Sequence, residues 1–127
     1  MGNGKRAIIA GIAGQDGSYL AELLLEKGYR VLGFLKKDDD VSVLSPLLKD
    51  LVLEETELVR KEDIIRWTRL FLPDEIYNFA GMSFIPDSWD DPYRAFQVNT
   101  LLVAAFLEVI NGHCPGTRFY QASTSEI

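Results

Sequence analysis

Apolar positions along this chain alternate between short unbroken runs and helically spaced stripes. Arg6–Ala10 and Arg30–Leu35 are runs too short for helices and read as buried strands. Between them, Gly17–Lys27 repeats leucines at helical spacing, which predicts Tyr19, Leu20, Leu23 and Leu24 on one face and Gly28 as the stop. Lys36–Ser45 holds three consecutive aspartates and reads as an exposed loop, after which Pro46 opens a short helix through Asp50. Leu51–Glu54 fits a third strand, Glu62–Phe71 a helix ended by Pro73, and Glu75–Ala80 a fourth strand. A long helix over Tyr93–Ile110 follows Asp91-Pro92 and exits at Asn111-Gly112; Arg118–Thr124 is the fifth strand. Phe96, Val103, Phe106, Leu107 and Ile110 of that helix are expected in the core.

Repeated strand–helix units of this length need right-handed crossovers and give a parallel sheet covered on both faces. The expected fold class is therefore α/β, a doubly wound parallel sheet of strand order 3-2-1-4-5. Ligands of such sheets bind beyond the carboxyl ends of the strands. There is no internal repeat, and no low-complexity segment beyond Asp38–Asp40.

The junction of the first strand and first helix carries candidate chemistry. Gly11-x-x-Gly14-x-x-Gly17 lies there, with Gln15 and Asp16 inside it. A missing Cβ permits a tight turn and close approach of backbone to phosphates. The start of the following helix adds unpaired N–H groups and the positive end of its dipole. Flanked by a strand and a helix, the glycine series predicts a bound dinucleotide. The end of the second strand bears on which one. NAD-selective sites place an acid there for the ribose hydroxyl, whereas NADP sites place basic residues for the 2′-phosphate. Here Gly33-Phe34-Leu35 runs into Lys36 and Lys37, which favours NADP over NAD. The alternative is two solvated loop lysines, with Asp38 returning to hold the ribose.

Composition narrows the classes. A length of 127 residues suits one domain, and 47% hydrophobic with 11% aromatic residues suits a packed core. A net charge of −6 disfavours nucleic acid and anionic membrane surfaces, so an anionic cofactor needs local positive groups. Cys114 is the lone cysteine, which excludes an internal disulfide and fits a reducing compartment; with His113 it offers too few ligands for a metal. Apolar runs fall well short of the roughly 18 residues of a membrane span. The N-terminus runs directly into the first strand and Arg6 breaks a myristoylation pattern, so a soluble cytoplasmic protein is expected. Packing is the expected role of Trp67 and Trp89.

Several segments together resemble the extended short-chain dehydrogenase/reductase family (NAD-dependent epimerases and dehydratases). They are AGIAGQDGSYLAELLLEKGYRVLG, PDEIYNFAG with the following Ser83, and RFYQASTSE. Within that family they are most similar to GDP-mannose 4,6-dehydratases, over essentially the whole chain and most loosely between Asp38 and Trp67. The resemblance implies a Rossmann fold in which Lys36 and Lys37 stand where paired arginines meet the NADP 2′-phosphate. It implies adenine contacts at Glu57 and Leu58, and a dinucleotide-lining segment at Phe79, Ala80 and Gly81 after Asn78. Ser83, Ser88 and Ser125 fall near the sugar, and Asn99 falls at a structural position of the long helix.

The same resemblance implies a reaction. A sugar C4 hydroxyl is oxidised by hydride transfer to NADP, a carboxylate removes the acidified C5 proton, the C6 hydroxyl leaves as water, and the hydride returns to C6. Thr124 stands where a hydroxyl assists the catalytic tyrosine, and Glu126 where the base acts at C5. Thymidine-diphosphoglucose dehydratases resemble Thr-Asp-Glu here, so Thr124-Ser125-Glu126 favours the GDP-mannose branch and GDP-mannose as substrate. A helix cap is the alternative reading of that cluster. Members of the family often pair through the long helix, so a homodimer is expected.

Some positions depart from the family. Its Tyr-x-x-x-Lys has no match, because Leu23, Gly33, Gly81, Gln97 and Thr124 lie four residues after the tyrosines. The chain therefore reads as an N-terminal fragment, inactive alone and prone to self-association through apolar surface near Phe119. Met82 replaces a glutamine and Gly81 an alanine. A nucleotide-sugar epimerase or 4-keto reductase of the same scaffold is one alternative; a non-catalytic dinucleotide-binding module is another.

Overall fold

The computed structural model describes residues 4–35, 42–55, 61–79 and 92–121. Five parallel strands form one sheet: β1 (Arg6–Ala10), β2 (Arg30–Leu35), β3 (Leu51–Glu55), β4 (Glu75–Asn78) and β5 (Arg118–Gln121), in the spatial order β3-β2-β1-β4-β5. Helix α1 (Gln15–Glu26) joins β1 to β2, a 3-10 helix (Ser42–Asp50) precedes β3, α2 (Lys61–Phe71) precedes β4, and α3 (Pro92–His113) precedes β5. The expected strand order is the observed one.

Alternation along the central strands divides the core into two layers. On one face Ile8, Ala10, Leu32, Phe34 and Ile76 pack with Ile64 of α2 and with Leu102, Ala105 and Phe106 of α3. On the other, Ala7, Ile9, Val31 and Leu35 pack with Ala21 and Leu24 of α1 and with Leu44 of the 3-10 helix. Coverage on both faces is why β1 and β2 read as continuous apolar runs. The Phe106 ring centroid lies 6.3 Å from Phe34 and 5.7 Å from Phe119, extending this packing towards β5.

Several expected boundaries shift, each for a local reason. Helix α1 begins at Gln15, two residues before the expected Gly17, because Gly14 takes the extended N-cap conformation. Its buried residues are Gly17, Ala21 and Leu24, whereas Tyr19 and Leu23 are exposed. The small residues let the helix lie close to the sheet; Leu24 is buried and Leu20 packs against the same layer as expected, while Tyr19 and Leu23 turn outwards. At its far end Gly28 adopts a φ of 87°, with Gly28 N–H on Leu25 O at 3.0 Å and Tyr29 N–H on Leu24 O at 3.0 Å. That is a Schellman stop.

The expected Lys36–Ser45 loop is already helical from Ser42, and Pro46 sits inside the 3-10 segment rather than opening it. Leu44 and Leu47, three apart, share one side of a three-residue turn and pack against the layer under α1. The register of β4 on β1 ends at Asn78 opposite Ala10, where β1 turns away, and Ala80 of the expected strand lies outside the described residues. Helix α3 runs through Asn111-Gly112 to His113 and stops before Cys114-Pro115; a Cβ at Gly112 would touch nothing, so the glycine is simply exposed. His113 is thus helical, and Leu107 is exposed rather than core. Trp67 packs against the α2–α3 layer as expected. The side chains of Phe96 and Asn99, and Trp89 entirely, lie outside what the structure describes. So do residues 122–124 of the expected fifth strand.

The amino-terminal rim of the sheet is laced by polar contacts. Arg30 N–H donates to Lys5 O, Asp74 N–H to Arg6 O and Arg118 N–H to Asp74 O, all within 2.9 Å. The Arg6 guanidinium donates to Phe71 O at 3.2 Å, and the Thr117 hydroxyl to Pro73 O at 2.6 Å. Glu75 accepts the Tyr29 hydroxyl at 2.8 Å and the Tyr77 hydroxyl at 2.5 Å, and the Tyr77 ring stacks on Tyr120 at 4.8 Å.

Candidate functional site

Chemistry in an open parallel sheet belongs at the opposite, carboxyl rim. Gly11 follows the last residue of β1 with a φ of 80°, a left-handed conformation that favours glycine. Its N–H donates to Phe34 O at 3.1 Å and the Ile12 N–H to the same oxygen at 3.4 Å, so the chain folds over the end of β2. Gly14 N–H closes the turn on Gly11 O at 3.1 Å. Gly14 is exposed and caps α1 without any side-chain hydrogen bond.

The third glycine is required for packing. A Cβ on Gly17 would stand 2.5 Å from Gly11 O and 2.9 Å from Ile12 Cα, so only glycine lets the helix rest on its own turn. On the other side of the turn, the fully buried Ile12 side chain presses onto Gly33 of β2.

The result is a compact turn at the start of a helix, with no side chain at Gly11, Gly14 and Gly17. The first intrahelical bond, Ser18 N–H to Gly14 O at 2.9 Å, leaves the N–H groups of Gln15, Asp16 and Gly17 as the first-turn donors. This donor set fits a pyrophosphate, aided by the positive end of the α1 dipole. Gln15 and Asp16 are both exposed there. Asp16 stabilises the helix through the dipole, so its N–H rather than its carboxylate suits an anion. Beside this turn a cleft of about 550 Å³ runs between α1 and the 3-10 helix, lined by Gln15, Ser18, Tyr19, Glu22, Pro46 and Leu47.

Strand β4 brings its carboxyl end alongside. Phe79 N–H donates to Ala10 O at 2.8 Å, and the Phe79 ring is half-buried in the layer under α1. Asn78 is buried and donates through Nδ2 to Gln121 Oε1 at 2.8 Å, joining the ends of β4 and β5. Sequence reasoning passed over this amide pair, although an asparagine inside an apolar strand was a visible signal. It also passed over Gly33 and Ile12, where a lone glycine within a strand marks a close approach.

Of the expected site residues, the structure brings together Gly11, Gly14, Gln15, Asp16, Gly17 and Phe79. Lys36, Lys37, Glu57, Leu58, Ala80, Gly81, Ser83, Ser88, Thr124, Ser125 and Glu126 lie outside the described residues. Among the described residues no group of His, Cys, Asp and Glu could hold a metal ion, and no helix is long and apolar enough to cross a membrane.

This sheet order and its glycine turn define a Rossmann-type fold of the short-chain dehydrogenase/reductase kind. Within that class, the chain belongs to the GDP-mannose 4,6 dehydratase family, whose sequence profile matches residues 8–127. It is 40% identical to a GDP-mannose 4,6-dehydratase of Yersinia enterocolitica, over 97% of this chain and 36% of the relative. It is 38% identical to one from Vibrio cholerae, over 98% of this chain and 36% of that relative. The chain thus spans about a third of the length of the curated relatives it matches. Among solved structures it is similar to the Bordetella bronchiseptica enzyme WbmH in complex with NAD+, with a TM-score of 0.75 and 26% identity over 91% of this chain and 37% of that one.

Proposed function

We propose that residues 1–127 form the cofactor-binding domain of a GDP-mannose 4,6-dehydratase and that the cofactor is NADP. The observation that carries this reading is the turn from Gly11 to Gly17, with glycine at its three closest approaches and placed at the positive end of the α1 dipole, in a chain of this family. WbmH, similar in sequence and fold, is in complex with NAD+, which supports a nicotinamide dinucleotide here. Lys36 and Lys37, directly after β2, support NADP over NAD by matching the two negative charges of a 2′-phosphate.

The nicotinamide supplies a hydride acceptor and donor for the sugar. The chain's own contribution is to bind, to orient and to move protons. The N–H groups of Gln15, Asp16 and Gly17 receive the pyrophosphate, Glu57 and Leu58 border the adenine, and Phe79, Ala80 and Gly81 line the dinucleotide. Ser83, Ser88 and Ser125 contact a nucleotide sugar, GDP-mannose in this reading. Glu126 removes the sugar C5 proton, and Thr124 assists the group that takes the proton of the C4 hydroxyl.

Calorimetric titration of the chain with NADP and NAD tests the cofactor reading. Micromolar NADP binding is expected, with NAD weaker by about tenfold or more, as loss of one charge-assisted contact implies. Absence of binding by both would overturn it.

A further inference from the structure

We propose that Gly33, in the middle of β2 and outside the Gly11–Gly14–Gly17 series, is a positioning residue for the dinucleotide turn. The inference rests on the cofactor reading above and adds a residue to its machinery. A Cβ on Gly33 would overlap Ile12 Cδ1 and lie 2.7 Å from Cγ2 and 3.0 Å from Cβ of the same side chain. Ile12 is itself enclosed. It is fully buried, and its Cα stands where a Cβ on Gly17 would come to 2.9 Å. The residue is therefore seated between two glycines, one from α1 and one from β2.

The stiffness of Ile12 turns this seat into a device. A β-branched side chain is restricted at χ1, and a close-packed interior resists even a methyl group. An added Cβ at position 33 is accommodated by lifting the turn rather than by swinging the side chain. The turn is tethered one residue further along the same strand, where Phe34 O accepts the N–H groups of Gly11 and Ile12 at 3.1 and 3.4 Å. Lifting it loosens these bonds and displaces the first-turn donors of α1 from the phosphates. Gly33 thus fixes how deeply the turn sits on the sheet, and with it the height of the phosphate donors above β2.

The test uses Gly33→Ala, Ile12→Ala and the double variant, each titrated with NADP by calorimetry and melted by circular dichroism. Gly33→Ala is expected to keep a cooperative melt while NADP binding weakens about tenfold or more. In the double variant, which removes the Cδ1 and Cγ2 overlaps and leaves the 3.0 Å Cβ contact, affinity is expected to return to within about threefold of Ile12→Ala. Unchanged NADP affinity in Gly33→Ala overturns the proposal, as does a double variant that binds no better than Gly33→Ala. Should Gly33→Ala not fold, the double variant decides: folded and binding supports the seat, unfolded or silent overturns it. Failure of the unmodified chain to bind NADP or NAD would instead strike the cofactor reading itself.

Discussion

Leu72 shows how a single residue is held against its own preference. It follows the last residue of α2 with a φ of 52°, a left-handed conformation that costs a non-glycine residue about 1–2 kcal/mol. Its neighbours impose the geometry: Leu72 N–H bonds Thr68 O at 2.9 Å, Arg6 holds the Phe71 carbonyl, and Thr117 holds that of Pro73. The Leu72 side chain is 52% exposed and contributes little burial in return. Leu72→Gly is expected to raise the unfolding free energy by up to about 1 kcal/mol, read from urea denaturation midpoints. A fall in stability would show that the side chain packs more than its exposure implies. At the site, the same scale separates Gly11 and Gly17, legible from sequence because their spacing is a pattern, from Gly33. The role of Gly33 depends on which side chain descends from a different segment, and no local pattern encodes that.

At the scale of elements, strands β1 and β2 were legible to the residue because each is an apolar run bounded by charge or turn residues. Helix α1 was legible in existence and only half in facing, since Leu20 and Leu24 pack inwards while Tyr19 and Leu23 do not. Leucines at helical spacing mark two adjacent stripes, and the choice between them falls to the smaller residues Gly17 and Ala21, which allow close contact with the sheet. The 3-10 helix was hidden by aspartates before it and a proline within it. Strand β4 carries a consequence of its own. Tyr77 is held well above the usual phenol range, by burial first and then by its bond to Glu75; Tyr29 is raised as well, chiefly by its bond to Glu75. Both phenols are neutral in the fold and ionise more readily once unfolded. Stability from this cluster is fully present below the ordinary tyrosine value of 10.0 and is lost as pH rises beyond it. Unfolding titrations on either side of that pH are expected to show a steep alkaline loss that Tyr77→Phe makes shallower. An identical slope in both proteins would remove the cluster from the pH response.

On the scale of the whole molecule, the sheet ends in β5, which pairs only with β4 among the described strands. Tyr120 on that strand is 44% exposed, and Leu101 and Leu107 of α3 are 55% and 50% exposed. Exposed apolar side chains near a strand edge favour association. Sedimentation velocity is expected to show mass rising with concentration, and Leu107→Glu to reduce it; a concentration-independent monomer would contradict this.

The polar lacing of the amino rim has a mechanical corollary. Arg6, Asp74, Glu75, Thr117 and their partners fasten the strands at one end, much as a rivet fastens the ribs of a fan. The carboxyl tips are joined too, by Gly11 and Ile12 N–H on Phe34 O, Phe79 N–H on Ala10 O and Asn78 Nδ2 on Gln121 Oε1. The glycine turn lies at these tips, so a ligand bound in the proposed site would add to a bracing the sheet already has there. Loading the crevice and bracing the sheet then become one event, and the free energy of either is felt by the other.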